Sequence, residues 1–200
     1  MLLGTNAPGS IFSFIGRQRY YWIMKSIFLI GIMGAGKSYL ARQLSDYFML
    51  PAADLDHLIE KEEGQTVSEI FSNKGEAFFR QLESDLLRSS KIPYPAILAT
   101  GGGTPCFFNN MDWMLKHGIV VWLNTPVGVL VERLRHQKAH RPLVAAAAND
   151  DELTIQLSQL LKNRTPWYIK AHVVLSEMPV DRDAAIRAIE DQLAQMGMAS

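Results

Sequence analysis

Gly31-Ile32-Met33-Gly34-Ala35-Gly36-Lys37-Ser38 fits the pattern G-x-x-x-x-G-K-[ST], and it follows directly on the apolar run Ser26-Ile27-Phe28-Leu29-Ile30. This is the spacing of a phosphate-binding loop. Glycines let successive backbone N–H groups turn inward around anionic phosphates, which side chains at those positions would crowd. Lys37 is placed to reach the β- and γ-phosphates, and the Ser38 hydroxyl to ligate Mg²⁺. The stretch that follows reads as a helix, whose N-terminal dipole would face the same phosphates. A strand before the loop and a helix after it imply that the chain binds a nucleoside triphosphate.

Working outward, the remainder alternates short apolar runs with amphipathic stretches, the pattern of a parallel α/β sheet. Strands are expected over 26–30, 52–55, 96–100, 118–123 and 172–175. Helices are expected over 37–48, 56–62, 67–72, 76–90, 109–116, 127–137, 152–162 and 183–196. Right-handed crossovers put helices on both faces, and ligands collect at the carboxyl ends of the strands. The 200 residues suit one domain with a full core. We expect a kinase-type domain over 25–200 and, over 1–24, a dispensable extension with no secretory signal.

Composition narrows the function classes. Hydrophobic residues make up 48% and charged residues 20%, as in an ordinary globular chain. Lys+Arg and Asp+Glu are equal at 20 each, so no net charge points to nucleic acid or an acidic membrane. The single cysteine, Cys106, excludes an intramolecular disulfide framework and suits a reducing compartment. No apolar run approaches the roughly 20 residues of a transmembrane helix. A cytoplasmic enzyme is expected. His57, His117, His136, His140 and His172 have no metal-ligand spacing.

Five further segments carry chemistry. Asp54-Leu55-Asp56 sits at a strand end, where residues two apart on extended backbone share a face. One carboxylate could hold Mg²⁺ and the other accept a hydrogen bond from an alcohol; alternatively Asp56 simply caps the next helix. Arg80 and Glu83, in Gly75-Glu76-Ala77-Phe78-Phe79-Arg80-Gln81-Leu82-Glu83, are helical neighbours, which a surface ion pair alone would explain. Gly101-Gly102-Gly103, after an apolar strand, would let a ligand approach the backbone, although a tight turn also uses glycine. His140-Arg141-Pro142-Leu143 lies in an aperiodic stretch, 136–150, that reads as a lid carrying an arginine or as an ordinary basic loop. Arg164 continues the apolar stripe of Leu153, Leu157, Leu160 and Leu161, so it needs a buried anion, either a protein carboxylate or a ligand's.

Together the loop, D-x-D-x-x-I-E, G-E-x-x-F-R-x-x-E, G-G-G, R-P-L and R-x-P-x-Y resemble the shikimate kinases over residues 25–175, in the form found in Bacteroidetes-type bacteria. The resemblance implies a P-loop three-layer α/β sandwich with a five-stranded parallel sheet in the order 2-3-1-4-5, plus a lid. It implies phosphorylation of the shikimate 3-hydroxyl by ATP with Mg²⁺, in the route to chorismate and aromatic amino acids, by a monomer. Gly34, Ala35, Gly36, Lys37, Ser38, Tyr39, Arg133 and Arg141 would bind ATP, with Arg133 near the adenine. Ser38 and Asp54 would hold the metal. Asp56, Arg80, Gly101, Gly102, Gly103 and Arg164 would bind the substrate in a region over 56–90 and beyond it, with Glu83 holding Arg80. Lys37, Asp56 and Arg141 would be catalytic.

Rival readings differ in particular residues. A gluconate or nucleoside monophosphate kinase of the same fold should lack the Arg80 and Arg164 pair. A binder without turnover would be expected to lose one of Lys37, Asp54, Asp56 or Arg141. A GTPase-like switch needs N-K-x-D, which Asn149-Asp150-Asp151 does not supply.

Overall fold

Strand β1 (Ser26–Ile30) is buried along its whole length, with Ile27 to Ile30 at most 1% exposed. In the computed structural model, which describes residues 25–135 and 147–198, it is the middle of a five-stranded parallel sheet. The order is β2-β3-β1-β4-β5, as expected from the resemblance. β1 pairs with β3 (Ile97–Ala99) on one side and with β4 (Gly118–Leu123) on the other, Ser26 facing Gly118 and Ile30 facing Trp122. Helices cover both faces, so central strands read as unbroken apolar runs rather than alternating ones. The edge strands β2 (Ala52–Asp54) and β5 (Val173–Leu175) are shorter and more exposed.

Among the described residues the α-helices are α1 (Lys37–Phe48), α2 (Leu55–Glu63), α3 (Val67–Leu87), α4 (Asn110–His117), α5 (Val127–Leu134), α6 (Asp150–Tyr168) and α7 (Arg182–Met198). α1 turns Leu40, Ala41, Leu44 and Phe48 onto the sheet at helical spacing. A capping box between Thr66 and Glu69 starts α3. Asn149 caps α6, whose first turn carries Asp150, Asp151 and Glu152, charges that suit the positive end of the helix dipole.

Three boundaries differ from the expectation in ways that matter. The two helices expected over 67–72 and 76–90 form one element, broken at Gly75, whose φ of 82° and ψ of 169° are not helical. Leu55, expected to end β2, begins α2 instead. The helix expected to end at 162 runs on to Tyr168 through Pro166, carrying Arg164 with it. The remaining ends move by only a few residues. Arg141 and residues 136–146 of the expected lid lie outside the described residues, as does the extension over 1–24. Among the described residues no helix is long and apolar enough to cross a membrane.

Candidate active site

The carboxyl ends of β1, β2 and β3 open into one cleft of about 1270 Å³, lined by Lys37, Ser38, Asp54, Asp56, Arg80, Gly101 to Gly103, Arg133 and Arg164, among others. Its floor is the loop from Gly31 to Ser38. Gly34 and Gly36 adopt φ of +80° and +98°, the left-handed region that favours glycine. Lys37 Nζ donates to the carbonyls of Gly31 at 2.8 Å and Ile32 at 3.0 Å, so its ammonium is curled over the loop. Arg133 Nη1, from α5, donates to the carbonyls of Gly34 and Ala35, both at 3.2 Å. That guanidinium therefore braces the back of the loop. Tyr39 lines the cleft and is 64% exposed at its rim.

The two aspartates converge by a different route from the one expected. Asp54 ends β2 and caps α2, accepting the N–H of Asp56 at 3.1 Å and of His57 at 3.3 Å. Asp56 lies in the first turn of that helix, so the capping role considered for it belongs to Asp54. The other oxygen of Asp54 accepts a short hydrogen bond from Ser38 Oγ. Ser38 and Asp54 thus present two hard oxygen donors side by side at the end of the phosphate loop.

Asp56 is electrostatically unusual. Its Oδ1 is buried with no hydrogen-bond partner among the described residues. Burial, then the Glu83 and Asp54 charges, push its pKa from 3.8 to about 6, while Lys37 and Arg80 pull the other way. A carboxylate held near neutrality, aimed into a cleft and unpartnered, is suited to accept a proton.

Facing it is a cationic clamp built by α3, α6 and the glycine turn. Arg80 and Glu83 are buried, at 7% and 0% exposure, so the surface ion-pair reading does not hold. Arg80 Nη1 donates to Glu83 Oε2 at 2.6 Å, and Nε and Nη2 donate to Glu76 Oε1 at 3.1 and 3.0 Å. Two of its five N–H donors remain after those three bonds. Phe71, Phe79 and Phe107 surround the guanidinium, their ring centres 5.6, 5.3 and 4.9 Å from its Cζ. Arg164 reaches the same cleft from α6, and among the described residues no carboxylate forms a salt bridge with it.

The glycines of the turn leave room for close approach by side chains. A Cβ on Gly102 would stand 2.8 Å from Arg164 Nη1, and one on Gly103 2.6 Å from Arg80 Cζ. One on Gly101 would meet Asp56 Oδ1 at 2.9 Å and collide with Glu83 Oε1. Both arginines and Asp56 therefore fold against one backbone turn, and a Cβ there would have to displace them. Tyr168 was part of the quoted motif without a role. Fully buried, it donates from its hydroxyl to Gly102 O at 2.5 Å, and burial pushes its phenol pKa up, which keeps the donor protonated. Its position four residues after Arg164 on a helix was the available signal. Cys106, half-buried beside the turn, has its thiol pushed up by burial, with Arg164 and Arg80 pulling it down.

A parallel sheet with a phosphate loop, a raised-pKa carboxylate and two clamp arginines in one cleft defines a P-loop kinase of small anionic molecules. Residues 33–194 match the shikimate kinase family. The shikimate kinase of Bacteroides fragilis is 38% identical over 173 residues, which is 86% of this chain and 96% of that one. The crystal structure of shikimate kinase from Bacteroides thetaiotaomicron is similar with a TM-score of 0.72 at 36% identity, covering 88% of this chain and 97% of that one. Shikimate kinase from Acinetobacter baumannii, in complex with shikimate, gives a TM-score of 0.77 at 33% identity, covering 89% and 98%. The chain belongs to the shikimate kinase family.

Proposed function

We propose that this kinase transfers the γ-phosphoryl group of ATP to the 3-hydroxyl of shikimate, as a cytoplasmic monomer in aromatic amino-acid biosynthesis. One observation carries the reading: Arg80 and Arg164 converge on the glycine turn beside Asp56, a pairing that suits a small hydroxylated carboxylate. The planar guanidinium binds a carboxylate through parallel hydrogen bonds, which fixes its orientation as well as its place. With the acid group held there, a ring hydroxyl would lie toward Asp56 and the phosphate loop.

Asp56 then orients that hydroxyl and accepts its proton as the oxygen attacks phosphorus. Lys37 leaves the Gly31 and Ile32 carbonyls for the β- and γ-phosphate oxygens, and the loop N–H groups hold the remaining charge. Arg133, bonded to the loop carbonyls, stands where it would flank the nucleotide. Arg141 is proposed to approach the transferring group from the segment over 136–150. The hard oxygen donors of Ser38 and Asp54 fit Mg²⁺, and these two residues would hold it. Held there, Mg²⁺ would supply positive charge against the phosphates of the nucleotide.

The reading is tested by the pH dependence of shikimate phosphorylation, with the product identified by a mass increase of one phosphoryl group. Asp56 must be ionised to accept the proton, and its pKa is about 6. kcat/KM, which reports the free enzyme, is expected to level off above about pH 7 and to fall tenfold per unit well below pH 6. A profile flat down to about pH 4.5 would count against Asp56 as the proton acceptor.

A further inference from the structure

We infer that Thr104 is a positioning residue of the carboxylate clamp, its hydroxyl setting the Glu83 carboxylate that in turn sets Arg80. The inference rests on the shikimate kinase reading of the site. Thr104 follows the last glycine of the turn and is fully buried. Its Oγ1 donates to Glu83 Oε1 at 2.6 Å, while Glu83 Oε2 accepts from Arg80 Nη1 at 2.6 Å. One buried carboxylate therefore bridges the turn and the arginine.

The backbone of Thr104 is held as firmly as its side chain. Its N–H donates to Gly101 O at 3.1 Å, closing the turn, and its carbonyl accepts from Asn110 Nδ2 at 2.9 Å. Asn110 is fully buried too, and its Oδ1 accepts from Ser84 Oγ at 3.0 Å and from Arg88 Nη1. Arg80 and Ser84 on α3 and Arg88, which caps its C-terminus, follow one another at four-residue intervals, with Glu83 beside them. A continuous polar seam thus ties the glycine turn to that face of α3, and Thr104 is its link to the clamp. Without the hydroxyl, Glu83 Oε1 would lose a short charged hydrogen bond in a site sealed from water. Its carboxylate would be free to rotate, and Arg80 would lose register with Gly103.

Thr104→Val replaces the hydroxyl with a methyl group at nearly constant shape, Thr104→Ser keeps the hydroxyl, and Thr104→Ala removes it with less bulk should valine not fold. Steady-state kinetics in shikimate and in ATP, beside thermal melts, separate the possible roles. We expect the valine or alanine variant to raise KM for shikimate about tenfold, with kcat and KM for ATP within about twofold of the unsubstituted chain. Serine is expected to restore KM for shikimate to within about twofold. An unchanged KM for shikimate in a folded valine or alanine variant would overturn the inference. So would an equal loss in every parameter, or failure of serine to rescue. An unsubstituted chain that binds ATP yet never phosphorylates shikimate would overturn the underlying reading instead, and this role with it.

Discussion

Asp56→Asn is expected to give a protein that is more stable and nearly inactive. The substitution keeps the shape of the side chain while removing the group that accepts the proton, so kcat should fall by roughly 10²- to 10⁴-fold. Stability moves the other way for an electrostatic reason. The folded pKa of Asp56, about 6, lies above its ordinary 3.8. Its ionised form is therefore disfavoured in the folded state. That penalty is absent below pH 3.8 and builds as the pH rises through about 6. The rise from 3.8 to about 6 corresponds to about 3 kcal/mol at neutral pH, and Asn removes most of it. Urea unfolding at pH 7.5 and at about pH 4 should show the gain at the first and little at the second. A variant destabilised at pH 7.5 relative to pH 4 would mean that the Asp56 charge is compensated in the fold.

Arg80→Ala is expected to cost both stability and substrate affinity. Glu83 would be left buried without its cation, because Arg80 is the positive charge paired with it. Removing one partner of a buried ion pair typically destabilises by about 3–5 kcal/mol. Glu76, whose side chain is 58% exposed, can turn to water and adds little to that cost. The double variant Arg80→Ala with Glu83→Gln should regain much of the lost stability, since no unpaired charge is then buried. It should not regain the affinity for shikimate. Recovery of affinity in the double variant would show that Arg80 serves the fold and not the ligand.

The parts of this site that were legible in the sequence are those written locally. The phosphate loop is one: its glycines, Lys37 and Ser38 are consecutive, and a strand and a helix flank them visibly. The neighbouring pair Arg80 and Glu83 is another, although its burial was not, because burial depends on Phe71, Phe79 and Phe107 closing around it. What stayed hidden depends on contacts between distant segments. Asp54 serves as cap and as partner of Ser38 at once, because β2 ends one residue earlier than its apolar pattern suggests. Thr104 meets Glu83 across 21 residues, and no spacing rule connects them. α6 continues past 162 against the propensity of Pro166, and buried Leu153, Leu157 and Tyr168 anchor it where propensity alone would stop it. That continuation is what delivers Arg164 to Gly102.

One assay reaches directly the convergence of Arg164 and Arg80 as a carboxylate clamp. ADP release from ATP and Mg²⁺ would be followed with and without shikimate, for the unsubstituted chain and for Arg164→Ala. If Arg164 grips the carboxylate, release depends on shikimate and KM for shikimate rises by about 10²-fold in the variant, with KM for ATP little changed. ADP release indifferent to millimolar shikimate, from protein shown to bind ATP, would contradict that role.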